Sequence, residues 1–148
     1  MIFLVDDEPM KMRPYKTELE IASFRVEVYD NANEALEILS TVNISDVELV
    51  IIDIMLGVRY NNSDTAFSDS ATRQHMRTGL VLLDRLVKAN NAVFPRKAVL
   101  LTGTTDEDIT DEAKRKAAGY KIELLYKDNF RDANEFCKKI KEMLPAGN

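Results

Sequence analysis

Acidic, hydroxyl and lysine side chains stand at the ends of the apolar runs in this chain of 148 residues. Asp6 and Asp7 follow the first run, Asp53 follows the third, Thr102 ends the fourth and Lys127 follows the fifth. If the first and third runs are neighbouring strands, three carboxylates meet in one pocket, which must raise a pKa or hold a cation. Mg²⁺ is a hard cation that takes carboxylate, water and phosphate oxygens. The set therefore suits transfer of a phosphoryl group onto a carboxylate, with Asp53 as the nucleophile.

Lys127 and Thr102 supply the rest of this chemistry. The lysine brings positive charge, and the threonine brings a hydroxyl donor, to the side of the pocket opposite the carboxylates. Together with a metal ion, Lys127 would neutralise charge on the equatorial phosphoryl oxygens in the transition state.

Five apolar runs, which alternate with helical patterns, must position these groups. They cover residues 2–5, 24–28, 47–52, 98–101 and 122–126. Several are continuously apolar, as is typical of strands buried on both faces of a parallel sheet. The regular alternation predicts an α/β fold with helices on both faces, and right-handed crossovers make it an open, doubly wound sheet. Sites in such sheets lie at the carboxyl ends of the strands, beside the point where strand order reverses.

Apolar residues at helical spacing predict five helices. They run through residues 12–22, 32–39, 80–87, 109–120 and 130–144. Asn31 is predicted to cap the second helix, and Thr105 is predicted to open the fourth. Pro14 interrupts the first pattern, and it is tolerated there if the helix begins near residue 12 or 13, but otherwise implies a kink.

Residues 57–78 break the alternation between the third strand and the third helix. The segment has no strong period and its centre is rich in Ser, Thr, Asn and Asp, so a mobile surface loop is the simpler interpretation. A lid or partner-docking element over Asp53 is the sharper hypothesis, with Ser68 or Asp69 capping a short helix through residues 71–76. His75 also lies here, and a single histidine in a loop is interpreted as polar surface.

The strand-end motifs resemble the receiver domain of two-component response regulators. The resemblance is carried by Val5-Asp6-Asp7-Glu8-Pro9, Asp53-Ile54-Met55-Leu56, Leu101-Thr102-Gly103 and Lys127. It covers nearly the whole chain outside residues 57–78. It implies the flavodoxin-like form of the sheet, with strand order 2-1-3-4-5 and five helices. It also implies a single receiver domain over residues 1–148, with an inserted loop at about 57–78.

The resemblance implies a metal site and a phosphoacceptor. Asp53 would accept phosphate from a histidine kinase or a histidine phosphotransfer protein. Asp6, Asp7, Asp53 and the backbone carbonyl of Met55 would hold Mg²⁺.

The resemblance also implies how the phosphoryl group is bound and how the signal leaves the domain. Thr102 and Lys127 would bind the phosphoryl oxygens. Movement of the hydroxyl, coupled to an aromatic switch residue, would then change the surface of the fourth and fifth predicted helices. A downstream protein partner would read that surface.

The chain departs from the family's pattern at four positions. Gly57 replaces the usual proline four residues after the phosphorylated aspartate, and Asp128 replaces the usual proline after the lysine. We therefore expect a trans peptide before Asp128, because cis peptides are rare without proline. Leu124 stands where the switch aromatic usually lies, which puts aromatic switching in doubt. Gly79, which opens the third predicted helix, comes far later after the aspartate than in the family.

Composition argues against several other classes of protein. The formal net charge of −5 argues against binding to nucleic acid or to an anionic membrane. A single cysteine, Cys137, rules out an internal disulfide, and with one histidine it also rules out an ordinary structural zinc site. Cys137 lies on an apolar stripe, which favours a buried inert thiol. No apolar run approaches the roughly 20 residues of a membrane span, and no signal peptide is recognisable, so we expect a cytoplasmic protein.

Other functions stay open at this point. The nearest is a degenerate receiver that acts as an unphosphorylated interaction module. A phosphohydrolase of the haloacid dehalogenase type generally needs a second aspartate at the position of Met55. A flavodoxin-like flavin binder needs a phosphate loop where Asp6 and Asp7 would repel phosphate. In the leading interpretation the protein is not an enzyme beyond Mg²⁺-dependent self-phosphorylation and autodephosphorylation. Whether it also forms a weak homodimer stays open.

Overall fold

Five parallel strands form one sheet in the computed structural model, which describes residues 1–59, 62–90 and 97–144. The strands are β1 Ile2–Val5, β2 Val26–Tyr29, β3 Leu49–Asp53, β4 Ala98–Thr102 and β5 Glu123–Tyr126. Their order is β2-β1-β3-β4-β5. The predicted flavodoxin-like sheet is thus confirmed. Residues 60 and 61 of the predicted insertion lie outside the described residues.

Six helices, one more than predicted, flank the sheet in the described part of the chain. They are α1 Pro9–Ile21, α2 Ala32–Thr41, α3 Asp69–Thr72, α4 Thr78–Asn90, α5 Glu107–Tyr120 and α6 Ala133–Met143. The extra helix is α3, which lies inside the insertion and is capped by the Ser68 hydroxyl. It ends at Thr72 because Arg73 adopts the left-handed conformation, so the predicted helix over residues 71–76 is wrong in its extent. None of these described helices has the length and apolar character that crossing a bilayer requires.

Side-chain caps determine where several helices begin. Asn31 caps α2, as predicted, by accepting a backbone N–H of the first turn. Asp106, and not Thr105 as predicted, caps α5. The carboxylate of Asp106 adds a negative charge at the positive end of the helix dipole, which the neighbouring hydroxyl lacks. Asp132 caps α6, so Phe130 packs beside that helix and not within it.

The helix α1 begins at Pro9, earlier than the start near residue 12 or 13 that would accommodate a second proline. Proline suits the first position of a helix because the N–H there has no intrahelical partner. Pro14 lies in the helix interior, where its missing N–H leaves one hydrogen bond unmade. Met12 and Leu19, on either side of it, are nevertheless both buried.

The sheet separates two hydrophobic cores, as expected for helices on both faces. One core joins alternate strand residues to α2, α4 and α5, and it includes Phe3, Val5, Val50, Ile52, Leu39, Leu83 and Ile109. The other joins the remaining strand residues to α1 and α6, and it includes Ile2, Leu4, Ile51, Val99, Leu19, Phe136 and Ile140. Cys137 in α6 is 4% exposed, and its thiol donates to the Glu18 carbonyl of α1 over 3.6 Å. The prediction of a buried thiol is therefore confirmed.

The insertion is anchored in the first of these cores by Phe67, which is fully buried. Arg85 of α4 contacts both carboxylate oxygens of Asp64 at 3.1 Å and lies over the Phe67 ring. Thr72 is fully buried as well. Burial of a phenyl ring stabilises a fold by roughly 1.5–3 kcal/mol. The described part of residues 57–78 is therefore anchored by buried side chains, while most of its other residues stay exposed or half-buried. The interpretation as a mobile surface loop stays a prediction.

Candidate functional site

Three carboxylates lie together at the carboxyl edge of the sheet. Val5 of β1 pairs with Ile52 of β3, so the residues that follow these two strands are neighbours. One oxygen from each of Asp6, Asp7 and Asp53 lies within 4.8 Å of the other two. Asp6 and Asp53 are only 2% and 4% exposed, whereas Asp7 is exposed to solvent. The structure thus combines two buried carboxylates with one that solvent can reach.

Lys127 reaches both buried carboxylates from the end of β5. Its Nζ lies 2.6 Å from Asp53 Oδ2 and 3.3 Å from Asp6 Oδ2. The lysine stem passes beside Gly103, where an added Cβ would lie 3.4 Å from the lysine Cδ. One cation therefore offsets part of the negative charge of the cluster.

Backbone amides fix the orientation of both buried carboxylates. Asp53 Oδ1 accepts the N–H of Met55 at 3.0 Å, and Asp6 Oδ1 accepts the N–H of Glu8 at 2.8 Å. In each case one carboxylate oxygen binds the backbone and the other contacts Lys127. Asp53 is therefore held in a defined orientation by a neutral donor on one side and a cation on the other.

Burial dominates the electrostatics of the site. Desolvation raises the pKa of Asp53 to about 7, Asp6 adds to this rise and Lys127 opposes it. Burial, with the charges of Asp6 and Glu8, also raises the pKa of Asp7. Burial acts to lower the pKa of Lys127, but the contacts with Asp53 and Asp6 outweigh it and raise this pKa. Three carboxylates this close together form an oxygen donor set that fits a hard divalent cation such as Mg²⁺.

A cavity of about 320 Å³ adjoins the carboxylates. Its lining residues are Asp7, Glu8, Lys11, Asp53, Met55, Gln74, His75, Gly103 and Lys127. About 10–15 Å³ of such volume is enough to hold one water molecule, so the cavity has room for a phosphoryl group and its hydration. Met55 lines the cavity, but a metal contact of its carbonyl stays a prediction. Sequence reasoning missed Gln74 entirely and interpreted His75 as plain polar surface.

Thr102 lies at the end of β4, and its hydroxyl is engaged in its own loop. The residue is 1% exposed, and Oγ1 accepts the N–H of Thr104 at 3.1 Å. It is not among the described residues that line the cavity, whereas the next residue, Gly103, is. Binding of a phosphoryl oxygen by Thr102 therefore stays a prediction.

Two departures from the receiver pattern can be checked directly. No described peptide bond is cis, so the peptide between Lys127 and Asp128 is trans, as expected. Leu124 is half-buried and packs against the core beneath α5. Because leucine occupies this position, it holds no aromatic ring that could act as the switch residue.

Gly79 makes a contact with Asp53 that its distance in sequence conceals. Its N–H donates to the Ile54 carbonyl at 2.9 Å, and an added Cβ would lie 2.1 Å from the carbonyl oxygen of Asp53. Only glycine therefore allows α4 to begin against the end of β3. The first turn of α4, which follows the insertion, therefore packs directly against the backbone of Asp53, the candidate acceptor. A glycine at the start of an apolar helix pattern was the one sequence feature that could have indicated this.

Known proteins match this chain in their fold, whereas searches with the sequence find no match. No protein-family model matches the sequence, and no curated protein is significantly similar to it. Solved structures do match. A CheY-like response regulator receiver domain protein from Methanospirillum hungatei JF-1 has a TM-score of 0.65 and 20% sequence identity. The match covers 95% of this chain and 90% of that one.

Two further structures match nearly end to end. The response regulator TrrA from Thermotoga maritima, in complex with Mg²⁺-BeF, has a TM-score of 0.62 and 23% identity, with 97% of each chain covered. The chemotaxis protein CheY4 from Vibrio cholerae has a TM-score of 0.64 and 17% identity, again with 97% of each chain covered. The chain therefore has the fold of the CheY-like response regulator receiver domains.

Proposed function

We propose that the protein is a cytoplasmic response-regulator receiver, phosphorylated on Asp53 by a histidine kinase or a histidine phosphotransfer protein. An oxygen of the Asp53 carboxylate attacks the phosphorus of the donor's phosphohistidine. The N–P bond breaks, and its electron pair stays on the histidine. The observation that carries the proposal is a buried carboxylate on the wall of an open cavity, held 2.6 Å from the Lys127 ammonium.

The neighbours of Asp53 have separable roles in this proposal. The Met55 N–H holds the carboxylate in one orientation for attack. Lys127 would contact a phosphoryl oxygen and stabilise the negative charge of the phosphoryl group as it is transferred to Asp53. Asp6 and Asp7, with Asp53 and the carbonyl of Met55, would hold Mg²⁺, which neutralises charge on the phosphoryl group when bound.

The output of the proposed receiver is a contact with a downstream protein. The helices α5 and α6 follow β4 and β5, whose ends carry Thr102 and Lys127. The two residues proposed to bind the phosphoryl oxygens therefore lead directly into the loops from which α5 and α6 begin. The surface of α5 and α6 is therefore the proposed reading surface.

Phosphorylation by a small donor tests the proposal. Incubation with Mg²⁺ and acetyl phosphate should add one phosphoryl mass to the wild-type protein, read by intact-mass spectrometry, and none to Asp53→Asn. Asp46→Asn is the matched control, because Asp46 is an exposed carboxylate on a turn before β3. It should gain the same mass as the wild type.

Two outcomes would contradict this assignment. Equal phosphorylation of Asp53→Asn would move the acceptor to another residue. A wild-type protein that gains no mass would instead be a receiver fold used as an unphosphorylated interaction module.

A further inference from the structure

We propose that Gln74 and His75 of the insertion form the outer wall of the acceptor site and prolong the lifetime of the phosphoryl group on Asp53. This inference rests on the proposed function and deepens it, because it gives the insertion a part in the hydrolysis step. Both residues line the cavity that Asp53 and Lys127 also line. The insertion thus contributes part of the surface that faces a phosphoryl group.

An unusual turn presents the two side chains. Arg73, Gln74 and His75 are three consecutive residues with positive φ, at 50°, 55° and 74°. The left-handed conformation is unfavourable for residues that carry a Cβ. Such backbone persists only where surrounding contacts hold it, and it is concentrated at functional sites.

Hydrogen bonds to α3 hold this turn. The N–H of Gln74 donates to the Asp69 carbonyl at 2.8 Å, and the N–H of His75 donates to Thr72 Oγ1 at 3.2 Å. The N–H of Arg77 donates to the Thr72 carbonyl at 3.0 Å. Because Thr72 is fully buried, the turn is tied to the interior of the protein.

Arg77 fastens the far end of the turn to α5. Its guanidinium donates through Nε to Glu112 Oε1 at 2.8 Å and through a second nitrogen to the other carboxylate oxygen. A third nitrogen donates to the Ala71 carbonyl. A two-pronged pair of arginine and carboxylate fixes both distance and orientation. The turn is therefore anchored at one end in α3 and at the other in α5, so the backbone that carries Gln74 and His75 is held beside the cavity.

Hydrogen-bonding capacity is left over on this wall. His75 Nδ1 is buried and has no hydrogen-bond partner among the described residues, while Nε2 lies 3.9 Å from Asp69. Buried polar atoms usually have a partner. The Gln74 side-chain amide adds two further donors. A phosphoryl group has the acceptor oxygens that the N–H groups of the Gln74 amide need.

Hydrolysis of the phosphoaspartate requires water to approach phosphorus in line with the bond to Asp53. The water oxygen forms a bond to phosphorus, and the P–O bond to Asp53 breaks with its electron pair left on the carboxylate. One proton of the water stays on the oxygen now bound to phosphorus, and the other passes to a second oxygen of the phosphate that leaves. Side chains that occupy the outer side of the cavity exclude this water. Gln74 and His75 therefore slow the loss of the phosphoryl group.

Glycine substitutions test the wall without disturbing the turn. Glycine adopts positive φ freely, so Gln74→Gly and His75→Gly remove the side chains while the backbone keeps its path. Arg73→Gly is the matched control. Arg73 has the same backbone conformation in the same turn, but its side chain does not line the cavity.

The lifetime of the phosphoryl group is the measurement. Each protein is loaded with acetyl phosphate and Mg²⁺, freed of donor by gel filtration, and followed by intact-mass spectrometry. We expect the double variant Gln74→Gly/His75→Gly to lose its phosphoryl group at least about fivefold faster than the wild type, the effect of one net hydrogen bond. Arg73→Gly should stay within about twofold of the wild type.

The outcomes distinguish this inference from the proposed function. Equal lifetimes in the wild type and the double variant overturn the inference alone, as does a longer lifetime in the variant. No phosphoryl uptake by the wild type defeats the proposed function and the inference with it. If the glycine pair does not fold by circular dichroism, the pair Gln74→Asn and His75→Asn gives the same readout, because asparagine also tolerates positive φ.

Discussion

The charge of Asp53 destabilises the metal-free protein. Burial and the neighbouring Asp6 raise the pKa of Asp53 from 3.8 to about 7. The folded state therefore holds this proton at pH values where the unfolded state has lost it. By linkage, the contribution of Asp53 to stability is fully present below pH 3.8 and is lost as the pH rises to about 7.

Asp53→Asn should consequently stabilise the protein when Mg²⁺ is removed. One pKa unit corresponds to about 1.4 kcal/mol, and Lys127 compensates part of the charge. We expect the Tm of the variant to exceed that of the wild type by at least about 3 °C near pH 8. The difference should shrink toward pH 4, where the wild-type carboxyl is protonated. Scanning calorimetry in EDTA over this range provides the measurement.

The matched control is Asp46→Asn, since this carboxylate is exposed to solvent. Its Tm near pH 8 should stay within about 1 °C of the wild-type value, since surface substitutions usually change stability by less than about 0.5 kcal/mol. A variant Asp53→Asn that melts below the wild type near pH 8 would contradict the sign of this argument. It would mean that the Lys127 contact outweighs the cost of burying the charge.

At the residue scale, the sequence could predict the site only where a residue directly follows a strand. Asp53 and Lys127 meet that condition, because parallel strands bring their carboxyl ends to one edge. Gln74 and His75 do not, because their place at the cavity depends on a left-handed turn in a segment without periodicity. The engaged hydroxyl of Thr102 was also beyond prediction, since it depends on the local loop.

At the element scale, the contact between α4 and β3 depends on a single missing methyl group. A Cβ on Gly79 would lie 2.1 Å from the Asp53 carbonyl oxygen, far inside van der Waals contact. Gly79→Ala must therefore displace either the helix or the strand. We expect it to lower the free energy of unfolding by about 3 kcal/mol, measured by urea denaturation.

Gly119→Ala in α5 is the matched control for this substitution. An added Cβ there meets nothing within 4 Å, and alanine is the better helix former. The control should raise the free energy of unfolding by about 0.5 kcal/mol. A Gly79→Ala variant as stable as the wild type would show that α4 can shift away from β3 at little cost.

The elements differ in how far the sequence determines them. The strands were predictable because burial on both faces leaves continuous apolar runs. The start of α5 was not, because Thr105 and Asp106 are adjacent residues that both suit a cap, and their competition is settled by local geometry. The anchoring of the insertion was not predictable either, because Phe67 is an isolated apolar residue in a polar stretch.

At the scale of the whole molecule, the sheet divides the helices into two layers with different tasks. The layer of α2, α4 and α5 receives the insertion through Phe67 and through the Arg77 contact with Glu112. The layer of α1 and α6 shares a separate core on the other face. The candidate site lies at the edge of the sheet that both layers share.

Alkylation of Cys137 can measure how readily the layer of α1 and α6 opens. It is the chain's one thiol, it lies between α6 and α1, and burial raises its pKa, so the folded protein shields it from alkylation. The alkylation rate relative to free cysteine gives the equilibrium constant for opening. We expect a smaller opening free energy than that of global unfolding in urea, because α1 and α6 share a core that is separate from the core on the other face of the sheet. Equal values would mean that both layers unfold as one cooperative unit.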